Sequence, residues 1–149
     1  MSEQTEISFN LKKVYVKDIS FESPRSPQVF LNEQAPELDV QMNISHSKLD
    51  TDDLYEVVLT ITVTAKGVEN NFFLCEVQQG GLFEVTGADQ ELPMVLEIAC
   101  PNILLPFIRE AISDLVGKGG FPQLLINPIN FEALFHQKMM AQQSGQKPN

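Results

Sequence analysis

Four stretches of the chain alternate apolar and polar side chains with the two-residue period of a β-strand that covers one face. The central one is residues 72–85. Phe73, Cys75, Val77, Phe83 and Val85 share one side with Gln79 and Gly81, while Phe72, Leu74, Glu76, Gln78, Leu82 and Glu84 share the other. The first side needs a cover. The second, part apolar and part acidic, suits a wet surface able to meet a partner. Gly80-Gly81 removes two side chains in mid-run and predicts a bulge or a sharp bend.

Residues 7–19 predict a first strand whose odd positions, Ile7, Phe9, Leu11, Lys13, Tyr15, Lys17 and Ile19, are apolar but interrupted by lysines, with Val14 and Val16 on the opposite side. Lysines in such a run mark a sheet edge, where a second subunit can pair. Residues 18–30 then lose the alternation and hold Pro24 and Pro27, predicting a long crossover that carries an unusual load of apolar residues in Phe21, Val29 and Phe30. Residues 37–45 alternate cleanly, with Leu38, Val40, Met42 and Ile44 on one side. Residues 55–65 form a third long strand rich in β-branched residues. The connector between them holds Asp50, Asp52 and Asp53 but lacks the glycine and distal glutamate of a calcium loop. Short connections between the later strands favour an antiparallel meander.

Residues 86–99 read as irregular. A helix is expected to open at Asn102 as N-cap, with Pro106 in its first turn and an apolar stripe of Leu104, Phe107, Ile108, Ala111, Ile112 and Leu115. Gly117-Lys118-Gly119-Gly120 ends it. Residues 121–129 are apolar and bracketed by prolines, so they are extended and irregular. A second helix opens at Asn130, with Phe131, Leu134, Phe135 and Met139 on one side. Residues 1–142 are expected to form one domain, and 143–149 a disordered tail.

At 149 residues and 43% hydrophobic the chain can bury a core. Ten basic against twenty acidic side chains give a net charge of −10, the wrong sign for nucleic acid or anionic membrane and the right one for basic protein surfaces. The first residues lack a secretory leader, and no run approaches the roughly 18 apolar residues of a membrane span. A cytoplasmic protein with no direct membrane insertion is expected. Cys75 and Cys100 form no C-x-x-C pair, so a disulfide framework or zinc site is not expected. His46 and His136 are isolated in sequence, and no glycine-rich loop precedes a helix. These features favour a binding protein without cofactor or metal over an enzyme. What remains is an apolar surplus on irregular segments, Phe21, Val29, Phe30, Phe121, Leu124, Leu125, Ile126 and Ile129, which suits a groove for extended polypeptide. A second candidate site is Asp18, Glu22, Leu74 and Glu76. A second subunit is expected on Val14, Val16, Cys75, Val77 and Gln79.

The segments Asp18-Ile19-Ser20-Phe21-Glu22, Leu74-Cys75-Glu76-Val77-Gln78-Gln79-Gly80-Gly81, Cys100-Pro101-Asn102-Ile103-Leu104, Phe121-Pro122-Gln123-Leu124 and Pro128-Ile129-Asn130-Phe131 follow one another as ordered motifs. In that order the chain resembles the SecB protein-export chaperone family. The resemblance implies an α+β protomer with a four-stranded antiparallel sheet, a long helix and a shorter C-terminal helix on one face, assembled as a homotetramer, a dimer of dimers. It also implies ATP-independent binding of unfolded precursor proteins and their delivery to the SecA translocation ATPase. On this resemblance Asp18, Glu22, Leu74 and Glu76 dock the basic, zinc-stabilised C-terminal segment of SecA, the zinc belonging to that partner. Family members usually carry tryptophan where this chain has Gln34-Ala35-Pro36, and the tail ending Gln146-Lys147-Pro148-Asn149 is less acidic than many. Two other readings are a SecB-like chaperone of an antitoxin and a hot-dog thioesterase using Asp53 or His46. In the latter fold, however, the central helix follows early strands.

Overall fold

The computed structural model describes residues 6–143. Four antiparallel strands, β1 (Ser8–Glu22), β2 (Glu37–Lys48), β3 (Leu54–Lys66) and β4 (Asn71–Thr86), form one sheet in the order β1-β4-β3-β2. Strands β2 to β4 are a meander. Residues 23–36 cross over from β1 at one edge to β2 at the other and contain a short 3-10 turn, Gln28–Leu31.

The register explains the lysines of β1. Pairing with β4 shifts between Leu11 and Lys13 and again between Val16 and Asp18, so each shift inserts one extra residue, Lys12 and then Lys17. Each extra residue reverses the phase of the alternation. Phe9, Leu11, Val14, Val16, Ile19 and Phe21 therefore share one face, opposite Val85, Phe83, Gly81, Gln79, Val77 and Cys75. Val14 and Val16 are thus not on a separate side, and Asp18 to Glu22 continue the strand rather than begin the crossover. The apparent loss of period was a change of phase.

Gly80 and Gly81 form no bulge in β4, which pairs without interruption through both. They permit two close approaches instead. A Cβ on Gly81 would meet Leu104 of the long helix at 2.9 Å, and one on Gly80 would collide with the Tyr15 ring on the opposite face. Tyr15, between the two bulges, donates its hydroxyl to Glu56 Oε2 at 2.7 Å, and Lys17 Nζ reaches Glu56 Oε1 at 3.1 Å. Burial first, then the Glu56 bond, raises the Tyr15 pKa. The hydroxyl bond and Lys17 hold the Glu56 carboxyl below its ordinary 4.5.

The helical region starts earlier than the sequence pattern implies. A 3-10 turn (Asp89–Glu91), α1 (Leu92–Met94) and a π turn (Val95–Ala99) run directly into α2 (Cys100–Lys118). Asn102 is therefore not an N-cap, and Pro106 lies inside the helix. The widened turn, closed by the Cys100 amide donating to Val95 O, precedes Pro101, whose ring would crowd the Glu97 carbonyl in a regular α turn. Leu104, Ile108, Ile112 and Val116 of α2 are fully buried against Val57, Leu59, Ile61, Val63, Cys75 and Val77. Phe107 lies off this stripe and is exposed. The helical span Asp89–Lys118 contains an 18-residue window of mean hydropathy 1.5, so by length and composition it could cross a membrane, contrary to the expectation from runs alone. Its buried stripe is already seated on the sheet.

Helix α3 (Phe131–Gln143) opens as expected, with Asn130 Oδ1 accepting the Ala133 amide at 2.9 Å. Phe131 and Phe135 anchor it. Glu97 ties it to the sheet by meeting His46 Nε2 of β2 and Lys138 Nζ of α3, each at 3.2 Å. The expected tail lies outside the described residues except for Gln143, which closes α3.

Because the folded Glu56 pKa is depressed, its contribution is complete above the unfolded carboxylate range and is lost as pH falls through the folded value. Glu56→Gln is expected to cost about 1 kcal/mol at pH 7. The melting-temperature gap to the parent should close as both are titrated toward acid, and a gap constant with pH would show that Tyr15 and Lys17 do not act through the carboxylate.

Candidate functional site

Four rings meet where the end of β1, the crossover, β4 and the segment after α2 converge. Phe21 stacks on Phe73 with centroids 5.6 Å apart and an interplanar angle of 21°. Phe121 lies 4.9 Å from Phe73, 5.2 Å from Phe30 and 6.5 Å from Phe21. Two glycines make this possible. The Gly120 amide donates to Gly117 O at 3.0 Å and the Phe121 amide to Val116 O at 3.2 Å, with Gly120 at φ +93, the paired closure of a Schellman turn. That turn swings Phe121 back toward the helix. A Cβ on Gly120 would press the Phe30 ring at 2.9 Å, and one on Gly119 would collide with Phe21.

Above these rings lies an open trough of about 530 Å³, walled by Phe30, Gln34 and Pro36 of the crossover, Leu38 of β2, and Phe121 and Leu124. Ser23 Oγ donates to Phe72 O at 3.2 Å and fixes the start of the crossover on β4. Phe30 and Leu38 stay exposed on the free protomer, whereas Phe73 beneath them is buried.

The sequence-derived groove residues divide. Phe30, Phe121 and Leu124 line the trough, and Phe21 supports its floor. Val29 contributes to the wall but is buried, and Ile126 belongs to the core. Leu125, 76% exposed, turns instead toward Pro106 and Arg109 of α2. Ile129 lies with Ile98 and Asn102 near the start of α3. The alternate residues of an extended segment point to opposite sides, so a single apolar run cannot furnish one wall. Phe73 and Leu38 were missed as site residues because strand alternation assigned both to the covered face.

On the opposite face of the sheet the register sets Glu22 against Leu74, Ser20 against Glu76 and Asp18 against Gln78. Asp18, Glu22, Leu74 and Glu76 thus share one face of the sheet. Asp18, Glu22 and Leu74 are exposed, and Glu76 Oε1 accepts the Thr62 hydroxyl at 2.7 Å. Of the set expected to face a second subunit, Cys75, Val77 and Gln79 are buried within the protomer, Gln79 donating its Nε2 to Tyr15 O at 3.0 Å. Val16 stays 46% exposed, and Val14 is half-buried. Burial pushes the Cys75 thiol up to about 11 and Cys100 to about 12, leaving both protonated and poor nucleophiles at neutral pH.

The protomer is α+β, with an open ring-floored trough on one side and a separate acidic patch on the other. The family model described as preprotein translocase subunit SecB matches residues 2–142, and the chain belongs to the SecB family of protein-export chaperones. It is 49% identical over 145 residues to the protein-export protein SecB of Chromobacterium violaceum, covering 95% of this chain and 96% of that one. It is 45% identical over 147 residues to that of Nitrosospira multiformis, covering 98% and 92%. A SecB-like chaperone of Mycobacterium tuberculosis, solved with a peptide from an antitoxin, shares the fold at a TM-score of 0.68 and 16% identity, covering 82% of this chain and 91% of that one. The family is one of chaperones acting in protein export and is not an enzyme class.

Gly120→Ala should cost roughly 1 kcal/mol or more, since alanine resists positive φ and Phe30 must move aside. A lower urea midpoint together with altered binding of an apolar dye checks this. An unchanged midpoint would mean the turn does not set the rings.

Proposed function

We propose that the trough holds unfolded precursor proteins in extended form and that the acidic sheet face passes the loaded complex to the SecA translocation ATPase. The observation that carries this reading is the Phe21, Phe30, Phe73 and Phe121 cluster left open to solvent on its upper side. A client segment placed there removes apolar surface from water at roughly 25 cal/mol per Å², without ATP and without sequence-specific readout. Because only the unfolded client binds, mass action draws it away from its native state.

The docking reading rests on charge. Asp18, Glu22 and Glu76 share one sheet face with the exposed Leu74, which suits a basic segment that needs one apolar contact. The cytoplasm is the compartment that fits this role.

Self-association is proposed at the β1 edge. Leu11, Val16 and Ile19 are exposed on the helix side of the sheet, and a second copy laid edge to edge would cover them. Two such pairs would give the dimer of dimers, whose several grooves act together on one long client. Export is favoured over antitoxin protection because the relatives at 45–49% identity are export proteins, while the antitoxin complex belongs to a protein only 16% identical.

One experiment separates the two surfaces. Glu76→Lys should weaken SecA binding by about tenfold or more yet still delay refolding of a denatured, slow-folding precursor. Leu124→Asp should do the reverse. Loss of both activities in both variants would contradict a division of labour between the two faces.

A further inference from the structure

Beside the trough lies a second cavity of about 490 Å³ with a different lining. Arg25, Gln28, Asn32 and Gln34 of the crossover form one wall, and Asn70 and Asn71 of the β3–β4 hairpin form the other. The two cavities share Val29, Asn32, Gln34 and Phe72, so they adjoin across the crossover. Asn32 Oδ1 accepts the Gln34 amide at 2.9 Å and braces that divider. Among the described residues the side-chain amides of Gln28, Gln34, Asn70 and Asn71 form no intramolecular hydrogen bond.

An extended polypeptide brings one N–H and one C=O with every residue. Phenyl rings satisfy neither, and leaving such groups unpaired away from water is costly. A carboxamide both donates and accepts, and can pair with backbone whatever the neighbouring side chains are. Arg25 is matched by Glu69 in the same lining, so the cavity holds one charge of each sign and has no basis for selecting by charge. Each cavity falls within the roughly 300–1,000 Å³ that binds compact ligands, room for a short stretch of chain.

We propose that this amide-lined chamber binds the uncharged polar stretch flanking the apolar segment held in the trough, chiefly through its backbone. The favoured client is then a mixed one, apolar residues followed by Ser, Asn, Gln or Thr, rather than a uniformly apolar run. This deepens the reading of the trough as a client site and rests on it.

The test uses the full chain and fluorescein-labelled peptides read by anisotropy. One peptide is six residues of Leu and Phe. Others add six residues of Ser, Asn and Gln at one end or the other, with or without N-methylated amides in the added half. One extended peptide should bind about five- to tenfold tighter than the short one, the effect of one or two net hydrogen bonds. N-methylation should remove most of that gain. In the double variant Gln28→Ala/Asn70→Ala the gain should vanish while affinity for the short peptide is unchanged. Equal binding of short and extended peptides, or a gain that survives the double variant, overturns the chamber and leaves the trough standing. Failure of the short peptide to bind overturns both.

Discussion

An α-helix about 10 Å across cannot cover four strands spaced about 4.8 Å apart. Helix α2 seals the inner faces of β3 and β4, where Leu59, Ile61, Val63, Cys75 and Val77 are fully buried. Apolar residues on the same face of the two outer strands, Leu11, Val16 and Ile19 on β1 and Leu38 and Val40 on β2, stay exposed. Each uncovered margin has its own geometry. The β1 margin is an open edge, suited to another copy of the chain. At the β2 margin the crossover and the segment after α2 stand beside Leu38 and with it wall an open trough.

Glycine decides how closely the elements meet. Gly81 admits Leu104 so that α2 seats deeply, and Gly80 admits Tyr15 on the far side. Gly119 and Gly120 admit Phe21 and Phe30, so the rings rest on backbone instead of filling the space above it. Side chains at these positions would push the rings upward into the cavity. The bulges at Lys12 and Lys17 act on the other face. By reversing the phase of β1 they turn Asp18 and Glu22 outward beside Leu74 and Glu76 while returning Ile19 and Phe21 to the inner face.

Much of this was legible in the sequence. Strands β2, β3 and β4 stand close to their predicted bounds because period-two alternation is a strong signal over 12 or more residues. The cap at Asn130 and the glycine stop after α2 were equally plain. Strand β1 was only half legible, since two inserted residues look like an interrupted pattern until the partner's register is known. The helical lead-in from Leu92 was hidden because Pro93 and Pro101 argue locally against helix, and only the π turn reconciles Pro101 with it. Within the trough, Phe30, Phe121 and Leu124 could be read as surplus apolar residues on irregular backbone. The sorting of Leu125 and Ile126 away from it depends on which way an extended segment rotates, and sequence does not encode that directly.

The central claim is that the ring-floored trough stays open for foreign unfolded chains. Hydrogen exchange on the full-length protein, with and without a denatured precursor, tests it most directly. New protection is expected only in the crossover, residues 23–36, and in residues 121–129, with the acidic sheet face unchanged. Exchange in those two segments that is already slow without precursor and does not change on adding it would contradict the account.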